Sequence, residues 1–221
     1  VGGQGDYGTA IVFGFIFAAM IISAKISWKY LAAAPVLLAA ALVFLWNFVL
    51  TSDHKNRIEV LLHPGTDPEG LEYQQDLGLA ALNKGGFLGI GLFGDKNEYI
   101  SVPEIHNDFI LSYAGMVFGF VGAVGLLAIL AYICLKILAD SRIAKDNLGK
   151  FICMGTFGLM LAHCIMNIGM VLKVMPVIGI PLPFLSAGGT AMVSMYVAIG
   201  LVLSTYTHSN KKYNVFYEEE E

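Results

Sequence analysis

"PEIHNDFILSYAGMVFGFVG", residues 103–122, passes from two acids and a histidine straight into an apolar run. The run continues to about residue 138, well beyond the roughly 20 residues that a helix rising 1.5 Å per residue needs to cross a bilayer. Glu104, His106 and Asp108 therefore stand at the lip of a membrane helix. Titratable groups at that boundary can be desolvated on one side and reach water on the other, and their pKa values move accordingly. The stretch decides both the fold class and where chemistry is to be sought.

Working outward, four more stretches are long and apolar enough to span: approximately 8–24, 29–50, 151–172 and 187–206. The 109–138 span exceeds the need, so it tilts or extends past the membrane. The expected fold is an all-α integral membrane protein, a polytopic bundle of about five transmembrane helices in one domain, 1–221, with a large loop at 51–107. Composition agrees. Of 221 residues 57% are hydrophobic and only 14% charged, too little polar surface for a soluble domain of this size. The net charge of −4 is small, and no basic patch supports nucleic-acid binding. Cys134, Cys153 and Cys164 lie in apolar runs without a CxxC pair and read as buried small hydrophobes. The first residue is Val1, and no signal-peptide n-region follows; a fragment or processed chain is expected.

Orientation follows from the basic residues of the short connections. Lys25 and Lys29, then Lys136, Arg142, Lys145 and Lys150, then Lys211 and Lys212 fall on one side of a five-span chain. That side, with the C-terminus, is expected to be cytoplasmic. The 51–107 segment and the 173–186 connection then face outward. The terminal "YEEEE" reads as a solvated tail.

Within 51–107, Asp67 and Pro68 suit a helix start, and Glu69 suits its positive end. Leu71, Tyr73, Leu79 and Leu82 suggest a short interfacial helix. "NKGGFLGIGLFG", residues 83–94, carries five glycines in twelve residues. It is either a flexible loop or a backbone-lined cradle for anionic groups with Lys84 beside it. It lacks the GxxxxGK[ST] of a nucleotide-binding loop.

For Asp108 two readings stand side by side. Asn107 or Asp108 suits a helix cap. Asp108 also suits a poised carboxylate that deprotonates a hydroxyl on a lipid-linked substrate. Glu104 and His106 can position that acid or bind a metal. The second outward loop, "VMPVIGIPLPFLSAGGTAM", is stiffened by Pro176, Pro181 and Pro183. Ser186, Gly188, Gly189 and Thr190 supply small groups where the last span begins, forming either a packed turn or a cavity wall. His163 and Asn167 lie four apart on one helical face and pair within the bundle or line a pocket.

Together these pieces resemble the SEDS family (shape, elongation, division and sporulation), the group of RodA, FtsW and SpoVE. "GDYGTAIVF" at 5–13 is similar to the family's PDLGTA-type element, with Gly5 at the usual proline. "NRIEVLLHPGTDPEGLEYQ" resembles its DP-rich loop, with His63 at the first Asp. "GGFLGIGLFG", "VPEIHNDFI" and "NIGMVLKVMPVIGIPLPFLSAGGTAM" follow in the family's order and spacing. The resemblance covers essentially the whole chain, and the last element is highly specific.

The resemblance implies the C-terminal five spans of a ten-helix fold in the bacterial cytoplasmic membrane. It implies peptidoglycan glycosyltransfer: polymerisation of lipid II, an undecaprenyl-diphosphate-linked disaccharide peptide, beside a class B penicillin-binding protein. The catalytic acid of the family falls on Asp108, the general base. Substrate-binding residues are expected among Arg57, Lys84, Glu104, His106, Asn167, Ser186, Gly188 and Gly189. A divalent cation, Mg²⁺ or Mn²⁺, joins Arg57 and Lys84 as a candidate to stabilise the diphosphate leaving group. Met116 and Val117 stand where the family often carries an acidic pair, and Ala187 stands at its tyrosine. Two alternatives remain: a lipid II flippase, and a non-catalytic scaffold for cell-wall enzymes. Few ionisable residues lie in the spans, which counts against transport.

Overall fold

The computed structural model describes residues 7–24, 43–44, 47–48, 51–63, 65, 70–93 and 98–209. Among them every extended element is helical: α1 (Tyr7–Ser23), α2 (Ser52–Leu62), α3 (Leu71–Lys84), α4 (Ile110–Ile143), α5 (Asn147–Val171) and α6 (Gly189–Ser209). Helices α4, α5 and α6 are long and apolar enough to cross a membrane, and α1 is a shorter apolar helix. The chain is a multi-pass membrane protein. The expected span at 29–50 lies, apart from four residues, outside the described residues.

Helix α5 is the centre of the bundle. It starts on Asp146, whose side chain accepts from Gly149 N at 3.0 Å, a cap that satisfies one of the orphan N–H groups of the first turn. α1 packs on it at Gly158, where a Cβ would stand 2.9 Å from the Ile16 Cα and the Phe15 carbonyl oxygen. Without a hydrophobic force between helices in lipid, such small residues let backbones approach and van der Waals contact accumulate. α4 and α6 cover other sides of α5, through Cys134, Ile137, Cys153, Met160, Met195 and Val202. All three cysteines are free thiols in this buried packing.

At the α4–α5 turn, polar groups tie the helix ends together. Lys145 Nζ donates to the His208 carbonyl at 3.2 Å and Lys150 Nζ to the Ser23 carbonyl at 2.8 Å, while within α4 Lys136 pairs with buried Asp140 at 2.7 Å.

Helix α4 explains its own excess length. Gly119 sits at φ 70°, ψ −171°, inside what is otherwise helix. From Gly119 to Ile143 is about 24 residues, roughly 36 Å, enough alone for a bilayer core of about 30 Å. The segment Ile110–Phe118 is a separate arm that begins at the site end of the membrane. The expected tilt or overhang is thus a break.

The break is filled by the glycine loop. Ile90 N donates to the Met116 carbonyl and Gly91 N to the Val117 carbonyl, both at 3.0 Å, while Phe120 N and Val121 N donate to the carbonyls of Gly86 and Phe87 at 2.9 and 3.3 Å. A continuous helix would have joined 120 to 116 and 121 to 117. The loop replaces both of those bonds with four of its own. Glycine is needed for the approach: a Cβ on Gly89 (φ +82°) would lie 2.1 Å from the Val117 carbonyl oxygen. The loop that the sequence left as flexible or anion-binding is structural splicing.

Helix α3 runs alongside the arm. Gly78 faces Phe109 and Ser112, Leu82 faces Gly115, and Gly85 meets the Gly115 carbonyl. Buried Ala81, Val102, Phe109, Leu111, Met116, Met170 and Leu182 form the core beneath. Met116 and Val117 are each 1% exposed, so an acidic pair there would be buried in this core.

Candidate functional site

Asp108 is placed by three segments that converge. The first is its own turn. Glu104 adopts φ 53°, and its carbonyl accepts from the main-chain N–H groups of Asn107 and Asp108 at 3.0 Å. The Glu104 carboxylate accepts from Asn107 Nδ2 at 2.7 Å. This local network, and not a side-chain cap, starts the helix: Phe109 is the N-cap, without a side-chain hydrogen bond. The capping alternative for Asn107 and Asp108 is therefore not what the structure shows.

The second segment is α5. Asn167, fully buried, donates through Nδ2 to the main-chain carbonyls of Asp108 and Ile180, both at 2.8 Å. It sits about 20 residues from the start of α5, roughly 30 Å along the helix, which puts Asp108 at the edge of the bilayer core.

The third segment is the proline-rich loop 173–186. Ser186 Oγ donates to the Asn107 carbonyl at 2.6 Å and accepts from Leu182 N at 2.8 Å. Ala187 N donates to the His106 carbonyl at 2.9 Å. His163 Nδ1 lies 2.9 Å from the Pro181 carbonyl oxygen. Glycine at 179 (φ 74°) brings the backbone against the acid: a Cβ there would stand 3.4 Å from Asp108 Oδ2.

The Asp108 carboxyl itself is half-buried, and burial, with the nearby Glu104 charge second, pushes its pKa above the usual carboxylate range. Among the described residues none donates a hydrogen bond to its carboxylate. A basic, underused carboxylate at a membrane edge is suited to taking a proton.

Arg57, on α2, donates Nη1–H to the Val177 carbonyl at 2.5 Å. Val177 and Gly179 are two residues apart, at most about 7 Å between Cα atoms, so the guanidinium and the Asp108 carboxylate flank one short strap. That strap is anchored to α3 as well. Buried Gln75 donates to the Met170 and Met175 carbonyls at 3.0 and 2.9 Å. Lys173 pairs with Asp76 at 2.5 Å and lies 3.9 Å from Glu72.

Other expected residues fall as follows. Glu104 and His106 are exposed beside Asp108; the His106 ring packs edge-on to Tyr113, 5.6 Å between centroids. Gly188 directly precedes α6 and Gly189 begins it, and a side chain at Gly189 would meet nothing within 4 Å. Lys84 is exposed at the end of α3 that packs on Gly115, further along the arm from Asp108. Both Asn167 N–H groups and the Ser186 hydroxyl are engaged with the backbone of the site. Sequence reasoning did not single out Gln75 or Gly179. The signal for Gly179 was the glycine between Ile178 and Ile180; Gln75 carried none.

No three His, Cys, Asp or Glu side chains among the described residues form a metal-holding group. Glu104 and Asp108 are close enough to feel each other's charge.

Comparison with known proteins agrees with this architecture. Residues 2–211 match the family described as cell cycle protein, FtsW/RodA/SpoVE. The chain is 32% identical over 209 residues to the peptidoglycan glycosyltransferase MrdB of Escherichia coli K12, covering 94% of this chain and 56% of that protein. It is 31% identical over 205 residues to the probable peptidoglycan glycosyltransferase FtsW of Geobacter metallireducens, covering 92% and 54%. The chain thus spans about half the length of these relatives. A chain from a solved peptidoglycan synthase complex superposes with a TM-score of 0.74 at 24% identity, over 93% of this chain and 57% of that one, and shares the fold. From the match across nearly its whole length, the chain belongs to the FtsW/RodA/SpoVE family of cell cycle proteins.

Proposed function

We propose that this chain is part of a peptidoglycan glycosyltransferase that polymerises lipid II, with Asp108 as general base. The observation that carries the reading is the Asp108 carboxyl, raised in pKa by burial and placed against Gly179 at the membrane edge. In that reaction the acceptor sugar hydroxyl attacks the anomeric carbon of the donor. The hydroxyl proton passes to Asp108, and the bond to the polyprenyl diphosphate breaks. Arg57, which donates to the Val177 carbonyl, would meet the charge that grows on the diphosphate. Mg²⁺ or Mn²⁺ held by Glu104 and the diphosphate would neutralise part of the same charge. The site end then faces the extracytoplasmic side of the bacterial cytoplasmic membrane, where a class B penicillin-binding protein would crosslink the product. The relatives' names support this reading.

The flippase and scaffold readings predict other products. The test is incubation of the intact protein, with a class B penicillin-binding protein, with lipid II in vesicles. Glycan chains that lengthen with time are expected. Movement of lipid II across the bilayer without glycan would favour a flippase, and neither product would favour a scaffold.

A further inference from the structure

The glycine loop carries an apolar tip with no role in the site. Phe87 is 69% exposed, Leu88 78%, Leu92 56% and Phe93 100%. A segment in water rarely shows four large hydrophobes in seven residues, and such patches mark interaction surfaces. The tip is continuous with α4: Phe87 stacks on Phe120, 6.1 Å between centroids, and Phe118 and Phe120 are themselves exposed. Beyond the break, exposed Val121 and Val124 extend the surface along the spanning part of α4.

Two further observations say what covers this tip. Its depth follows from the helix rise: Gly119 lies about 36 Å from the opposite end of α4, at the boundary of a bilayer core of about 30 Å. The backbone at the base of the loop, where it enters the break, is paired within the protein. The N–H groups of Gly86, Gly89, Ile90 and Gly91 donate to protein carbonyls, and the carbonyls of Gly85, Gly86 and Phe87 accept from protein N–H groups. Tyr99 Oη donates to the Gly91 carbonyl. Irregular backbone enters lipid only when its polar groups are paired in this way.

We propose that the tip formed by Phe87, Leu88, Leu92 and Phe93, with Phe118 and Phe120, docks into the lipid leaflet at the site end, among the upper acyl chains. The segment is then a membrane-seated hairpin and not part of a water-exposed loop. Lipid contact holds the loop in the α4 break and thereby sets the arm that leads from Asp108. The inference does not depend on the proposed reaction.

The test places tryptophan at the tip by Leu88→Trp and, separately, Phe93→Trp, both at exposed positions where the ring displaces nothing. The tryptophans of the intact protein, Trp28 and Trp46 among them, are replaced by phenylalanine, and Val197→Trp on the exposed face of α6 serves as the lipid-facing standard. The intact protein is reconstituted in phosphatidylglycerol–phosphatidylethanolamine vesicles with acyl chains brominated near the headgroup. Emission from both tip positions is expected to fall as much as that of Val197→Trp, and to resist aqueous iodide. Quenching by iodide and not by bromolipid overturns the proposal in favour of a water-exposed loop. Protection from both quenchers overturns it in favour of a protein cover.

Discussion

Asn167 and Asp108 are joined by a side-chain-to-backbone hydrogen bond: the buried amide donates to the Asp108 carbonyl at 2.8 Å and, through its other N–H, to Ile180 at the same distance. One residue of α5 thus holds the first turn before α4 and the proline-rich loop together. Asn167→Ala leaves two carbonyls without their donor, at about 1–3 kcal/mol for each buried group left unsatisfied. Thermal unfolding in detergent should show a lowered midpoint together with loss of glycan synthesis. An unchanged midpoint would contradict the clamp. Asn167→Asp should behave alike, because an ionised carboxylate cannot donate.

Asp108 makes a pH prediction whose sign follows from its raised pKa. A carboxyl that holds its proton more tightly when folded stabilises the fold most at low pH. That contribution declines as pH rises from the ordinary carboxylate range through the raised native value, and is level above it. Asp108→Asn removes the penalty of the buried charge. It should therefore unfold at a higher temperature than wild type at about pH 8, with the gap closing toward about pH 4, near the ordinary carboxylate pKa. A variant less stable than wild type across that range would contradict the burial account. Activity of wild type should fall as pH drops through the raised pKa, since a protonated base accepts nothing.

Gly179 lies in the left-handed region, and a Cβ added there would stand 3.4 Å from Asp108 Oδ2. Gly179→Ala costs about 1–2 kcal/mol in the backbone and adds a methyl group against Oδ2. Synthesis should fall more than that stability loss explains, measured at a temperature where the variant is fully folded. Full activity there would show that the strap does not position the acid.

The splice in α4 separates two glycines of one loop. Gly89 and Gly91 share φ +82°, but a Cβ meets Val117 and Gly119 backbone atoms only at Gly89. Gly91→Ala should cost the backbone term alone, about 1–2 kcal/mol. Gly89→Ala should cost clearly more, because backbone cannot move aside as a side chain does. Equal unfolding midpoints for the two variants would contradict the splice.

The sequence made the class of fold legible because lipid imposes a simple rule: a long uncharged run must be a helix. Asp108 was legible for a related reason, since an acid just before such a run stands at the boundary. The break at Gly119 was not. Gly115, Gly119, Gly122 and Gly125 look alike in the sequence, and only the distant loop 85–91 selects one of them. Asn167 was visible as a polar residue in a span, but its partners are main-chain carbonyls 59 and 13 residues away, which no pattern reports. The burial of Met116 and Val117 was hidden for the same reason: Met116 lies in the core with Ala81 and Met170, and the Val117 backbone meets the distant glycine loop at Gly89 and Gly91.

The central claim is that the Asp108 carboxylate removes the proton from the acceptor hydroxyl. Asp108→Asn keeps size and shape and cannot take that proton. The decisive measurement is the rate of glycan formation from lipid II by the intact protein with a class B penicillin-binding protein added, wild type against Asp108→Asn, at matched folded fractions. The account predicts loss of polymer by a factor of about 10² or more, in the range of general base catalysis, with the variant at least as stable at neutral pH. Equal rates from the two proteins would remove Asp108 from the mechanism.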